Sequence, residues 1–168
     1  MNSRGYARGD RIVLIIMVVL AVCGVALTWA TAKNYLGAAT AAAGFQTTVS
    51  GVTLRQEGSG YTIEINVSFE NLSEWDLPIT AVRSVVYLDG QYIWGRNYEW
   101  WARPLELPGG SKREVVLEID VPDTKTELVA GGKEAWSIRI SGLLDMPRLG
   151  TKVFVTNAVV PLDRGNEA

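Results

Sequence analysis

The clearest pattern in the chain is the alternation in "YTIEINVSF". Tyr61, Ile63, Ile65, Val67 and Phe69 fall on one face, and Thr62, Glu64, Asn66 and Ser68 on the other. A period of two predicts a strand with one face in a core and the other in water. "REVVLEIDV" repeats the pattern through Val115, Leu117, Ile119 and Val121, and "AWSIRISG" through Trp136, Ile138 and Ile140. Three further runs are rich in β-branched and aromatic residues: Val49–Gln56, Ile79–Leu88 and Lys152–Val160. "EGSG" and "LPGGSK" read as turns. Asp89-Gly90, between "ITAVRSVVYL" and "QYIWG", is a hairpin signal because both residue types accept positive φ. About seven strands at short spacing predict an all-β antiparallel sandwich. The one helical candidate within it is Thr124–Gly132, with Thr124 and Glu127 at capping-box spacing and Gly131 suited to close it.

The first quarter of the chain follows a different pattern. Ile12 to Ala32 contains no charged residue. As a helix these residues span about 31 Å, close to the thickness of a bilayer core. Arg4, Arg8 and Arg11 precede the run and Lys33 follows it, so the positive-inside rule predicts a cytoplasmic N-terminus (1–11), a transmembrane helix (12–32) and a β domain outside the cytoplasmic membrane. "NYLGAATAAAG", within 33–47, is either an extension of that helix or a spacer. Three other fates stand beside the anchor: cleavage as a signal peptide after Ala30-Thr31-Ala32, lipidation at Cys23, and pilin-like processing after Gly9.

Charge and composition then exclude some functions. From Phe45 onward 12 Lys and Arg stand against 17 Asp and Glu, a net charge of −5, which disfavours a nucleic-acid partner. Cys23 is the single cysteine, so the β domain has no disulfide and relies on its core. The chain has no histidine, hence no Ser–His or Cys–His pair and no usual zinc set, and no glycine-rich phosphate loop opens a helix. These features predict a protein that is not an enzyme and holds no cofactor or metal.

The candidate sites are few. In "FENLSEWDLPI", Asn71 is expected to bond neighbouring backbone as a corner residue, Pro78 to launch the next strand, and Leu77 and Ile79 to pack inward. The competing reading makes Glu70, Glu74 and Asp76 a cation site. Asn66 and Asn71 each begin an N-x-S sequon and are possible glycosylation sites. Tyr92, Trp94, Tyr98, Trp100 and Trp101 crowd ten residues; they are either core and edge cover, or an exposed interaction surface that includes Arg103, with Trp101 and Arg103 as an exposed cation–π pair.

The order of these elements resembles the WHy (water stress and hypersensitive response) domain, also called LEA type 2. The resemblance rests on a strand ending in Asn71, a corner, Leu77-Pro78-Ile79 and a strand closing on Asp89-Gly90. It continues through "LDGQYIWG", "LELPGGSKREVVLEIDV" and "WSIRISGLLDMPRLGTKVFV". It covers residues 48 to 162 and departs from the plant pattern at Glu74-Trp75-Asp76 and in "NYEWW". It implies an immunoglobulin- or fibronectin-III-like sandwich with a tail at 163–168. It also implies a role in desiccation or other stress, with client proteins or an envelope partner and no catalytic residues to carry over. The alternative is an interaction or assembly subunit, including a type IV pilin-like filament subunit, that uses the apolar helix and the aromatic surface.

Overall fold

A computed structural model describes residues 3–58, 60–131, 136–146 and 150–161, and side chains from Ile12 onward apart from Glu57. The tail from 163, Gly132, and the side chains of Arg4, Arg8 and Arg11 lie outside the described residues. The chain forms two compact units, Met1–Ala39 and Thr40–Ala168.

The first unit is helical. Helix α1 runs from Ser3 to Gly44, so the Ala-rich stretch is helix and not a spacer, and its last turn belongs to the second unit. Ile12–Gly44 is long and apolar enough to cross a bilayer, with a mean hydropathy of 2.9 in its most apolar window. Two of its few polar side chains are satisfied within the helix. Thr28 and Thr31 donate to the carbonyls of Gly24 and Leu27, both at 2.8 Å, so neither hydroxyl needs water.

The second unit is a seven-strand antiparallel sandwich of two sheets. Strands β1 (Phe45–Glu57), β2 (Gly60–Asn71) and β5 (Lys112–Asp120) form one sheet in the order β1-β2-β5. Strands β4 (Gln91–Glu99), β3 (Ile79–Leu88), β6 (Trp136–Met146) and β7 (Gly150–Val160) form the other in the order β4-β3-β6-β7. This three-plus-four division is that of a fibronectin-type sandwich. Hairpins join β1 to β2, β3 to β4 and β6 to β7, while the β2–β3 corner carries the chain from one sheet to the other.

The period-two faces meet in the middle. Ile63, Ile65, Val67 and Phe69 of β2 and Leu117 and Ile119 of β5 face Val82, Val86 and Leu88 of β3 and Trp136, Ile138 and Ile140 of β6, all essentially without solvent exposure. Ala41, from the last turn of α1, completes this core. Phe45, Phe69 and Phe154 close the β1–β7 side, with ring centroids 4.9 to 6.3 Å apart.

Element boundaries differ from the sequence reading in three places. Strand β1 begins at Phe45, because the helix ends where Gly44 lies against Ser73: a Cβ on Gly44 would sit 2.9 Å from the Ser73 nitrogen. Strand β6 runs past Gly142 to Met146, since that glycine sits in register between Val82 and Phe154 and does not end the strand. The helical candidate is a 3-10 turn, Asp123–Lys125, followed by helix α2, Thr126–Gly131. Pro122 occupies the N-cap without a side-chain hydrogen bond, so the Thr124–Glu127 capping box does not form.

Candidate functional site

Two regions carry the residues singled out by sequence: the β2–β3 corner and the aromatic segment of β4. The corner is built around Asn71, the last residue of β2, which is fully buried. Its Nδ2 donates to the carbonyls of Trp75 (2.6 Å), Leu107 (3.0 Å) and Pro108 (3.2 Å). Its Oδ1 accepts from the Ser73 backbone N–H at 3.0 Å and the Ser73 hydroxyl at 2.6 Å. Both ends of one side-chain amide are thus satisfied by protein groups, as burial demands. Two backbone bonds continue the pattern: Leu77 N–H to the Leu107 carbonyl, and Ile79 N–H to the Leu105 carbonyl, each at 3.0 Å. Leu77 and Ile79 are buried on either side of half-buried Pro78.

This geometry leaves little room for the alternatives at the corner. A glycan on Asn71 would remove donors that three carbonyls already use, so that sequon is a turn motif in this fold. Asn66 is exposed on the outer face of β2 and is sterically open. Asp76 accepts the Gly109 N–H at 3.1 Å, and among the described residues no three acidic or cysteine side chains converge on a metal-sized space. Glu70, Glu74 and Asp76 do not form a cation cage.

The aromatic segment divides. An irregularity opposite Val86/Tyr87 shifts the register, so β4 does not keep one parity along its length. Tyr92 and Trp94 are exposed, and Tyr92 packs edge-on to Tyr87 with centroids 5.9 Å apart. Tyr98 and Trp100 turn inward and pack against the core. Trp101 and Arg103 are both exposed, but the observed cation–π contact is Arg96 over the Tyr98 ring at 5.5 Å, not Arg103 with Trp101.

Arg96 and Tyr98 also join the two sheets. Both donate to the Glu118 carbonyl of β5, at 3.1 and 2.5 Å, which secures the open side of the sandwich between β4 and β5. Burial pushes the Tyr98 phenol above its ordinary pKa, and the Glu118 and Asp120 charges add to this. The Ser84 hydroxyl and the Arg96 charge pull the other way.

Trp101 borders a shallow groove of about 340 Å³ on the outer face of the larger sheet, together with Arg83, Asn97, Glu99 and Ser141. Sequence reading did not find this groove, nor the roles of Ser73, Leu107 and Gly109. A Cβ on Gly109 would lie 2.7 Å from the Glu74 carbonyl carbon, so only glycine permits that approach. The signal for Ser73 was present, since Asn71-Leu72-Ser73 is as good a turn motif as it is a sequon. Leu107 and Gly109 were legible only as part of the "LPGGSK" turn, because their partners lie more than 30 residues away in the chain.

An all-β sandwich after one long apolar helix, with a buried Asn corner at the sheet crossover, is the class that fold and corner define. No protein-family profile matches the sequence, and no curated protein does either. Solved structures do match. The sandwich is similar to the solution structure of a late embryogenesis abundant (LEA) protein, with a TM-score of 0.51, 17% identity and 72% of each chain covered. It is also similar to the crystal structure of the ApaA protein from Bordetella pertussis, with a TM-score of 0.50 and 11% identity, over 71% of this chain and 96% of that one. At these identities the likeness is one of fold.

Proposed function

We propose that this protein is a non-enzymatic, membrane-anchored module of the WHy/LEA type 2 kind that protects other proteins or the envelope during desiccation or related stress. The observation that carries this reading is the fold shared with a LEA structure, set after a helix apolar enough to span a bilayer. Helix α1 anchors the chain in the cytoplasmic membrane with residues 1–11 inside and the sandwich outside, in line with the arginines before the apolar run. Client proteins or an envelope partner meet a surface that is net acidic and joined to the membrane. The domain acts by presence and not by turnover.

The test has two parts. Protease accessibility on intact cells locates the sandwich; digestion only after lysis would refute the outside placement. Full chain in liposomes is then dried with a labile enzyme, and recovered activity is compared with liposomes carrying an equal mass of an unrelated anchored protein. Equal recovery in the two would refute protection.

A second reading, an interaction or assembly subunit, draws on exposed Tyr92, Trp94 and Trp101. Intact mass of the native protein separates the two. A chain beginning at Asp10 would mean pilin-like processing and favour assembly, whereas an unprocessed chain favours the anchor.

A further inference from the structure

The larger sheet ends in β7, an eleven-residue strand paired to β6 on one side only. An unpaired strand edge is a template for another strand, and folds usually blunt such edges with charges, proline or bulges. The other three edges are blunted. β5 carries Lys112, Arg113, Glu114, Glu118 and Asp120; β1 has an irregularity at Val49/Gly51; and β4 has one opposite Val86/Tyr87. β7 has an unbroken register, no proline, and Lys152 as its one charge. Its outward residues include Val153 and Val159, 71% and 74% exposed, and Val155 between them.

We propose that β7 pairs antiparallel with β7 of a second copy of this chain, about a two-fold axis at Thr156, joining two four-strand sheets into one of eight. The strand is self-complementary in this register. Val153 meets Val159 twice, Thr156 meets Thr156, Phe154 meets Ala158, and Val155 meets Asn157. Val–Val is a favourable cross-strand pair, and a bulky ring opposite a methyl group fills the inner face; the Thr156 hydroxyl stays on the Thr47 carbonyl of its own chain, 3.5 Å away. The charge pattern selects this orientation. In antiparallel pairing the two Lys152 side chains lie about 26 Å apart, while in-register parallel pairing sets them side by side. A two-fold pair also satisfies both edges at once and so closes. The pairing goes beyond the protective role proposed above and does not depend on it.

The test uses the full chain in detergent micelles or bilayer discs, with Cys23→Ser to remove the native thiol. Chains carrying Val153→Cys are mixed with chains carrying Val159→Cys and oxidised. Opposed Cα atoms of paired strands lie about 4.5–5.5 Å apart, within disulfide reach. The expected product is a 153–159 crosslinked dimer formed at least tenfold more than from either variant alone. Val155→Lys, at an exposed position, is expected to abolish the crosslink while leaving the unfolding midpoint unchanged. Equal crosslinking of each single variant with itself would show random collision or another register and overturn the proposal. So would no crosslinking at all, as when β7 receives a strand from a different protein.

Discussion

Asn71 donates its buried side-chain amide to the Leu107 carbonyl at 3.0 Å, tying the end of β2 to the loop before β5 across 36 residues of sequence. The same amide holds Trp75 and Pro108. One side chain therefore fixes where the chain leaves one sheet and enters the other.

Replacing Asn71 with Ala leaves the buried Ser73 backbone N–H without its acceptor and takes one donor each from the Trp75, Leu107 and Pro108 carbonyls, which keep the Ser73 hydroxyl, the Leu77 N–H and Ser111 as partners. Each buried group left unpaired costs on the order of 1–3 kcal/mol, partly recovered by relaxation. We expect Asn71→Ala to destabilise the sandwich by about 3 kcal/mol in denaturant unfolding followed by tryptophan fluorescence. Asn71→Asp should cost at least as much, since a carboxylate would face three carbonyl oxygens. A loss below about 0.5 kcal/mol would mean that the corner is held by its backbone bonds alone.

The alternating faces of β2, β5 and β6 were legible because side-chain parity is a local property: Ile63, Leu117 and Ile138 are buried as their parity requires, whereas Tyr61 and Val115 are only half-buried and Ser68, on the polar face of β2, is buried. The hairpin at Asp89-Gly90 was legible for the same reason. The corner was legible at Asn71 and Pro78, which act on adjacent backbone, but not at Leu107 or Gly109, which act at a distance. Which of the β4 aromatics face outward was not legible, because the irregularity between Tyr92 and Trp94 depends on pairing with β3 and nothing within "QYIWGRNYE" marks it; Gly95 itself stays in register opposite Val85.

Asp89 and Gly90 have φ of 51° and 76°, so both central residues of the β3–β4 turn are left-handed, as in a type I′ turn. Gly90→Ala should cost about 1 kcal/mol, and Asp89→Val more than Asp89→Asn, because asparagine tolerates positive φ and a β-branched residue does not. Thermal unfolding of the three variants would check the order. Equal midpoints for Asn and Val at position 89 would contradict it.

Gly142 is a test of packing. A Cβ there would lie 2.5 Å from the Ala81 carbonyl oxygen and 2.5 Å from the Phe154 ring. The ring can rotate away but the carbonyl belongs to a paired strand. Overpacking of this kind costs about 1–3 kcal/mol. Gly142→Ala should therefore destabilise clearly more than Gly95→Ala, whose Cβ would meet the Ser84 carbonyl at 3.0 Å. If the two variants unfold at the same midpoint, β6 has more freedom than this register implies.

Tyr98 gives a pH dependence with a defined sign. Its phenol is raised above the ordinary value mainly by burial, and it donates to the Glu118 carbonyl. The folded state therefore holds the proton more tightly than the unfolded chain, where tyrosine titrates near pH 10. The stability Tyr98 contributes is fully present below about pH 10 and is lost as pH rises through the folded-state value. Tyr98→Phe removes both the hydrogen bond and the titration. At pH 8 the variant should be less stable than the parent by about 1 kcal/mol, the net worth of one hydrogen bond. Above pH 10 the gap should narrow, because only the parent must then keep a buried phenol protonated or bury a phenolate beside Glu118 and Asp120. Denaturant unfolding of both proteins at pH 8 and pH 11 measures the gap directly. Parallel decline of the two would place the alkaline sensitivity on other groups and leave Tyr98 as a packing residue whose hydroxyl does not link β4 to β5.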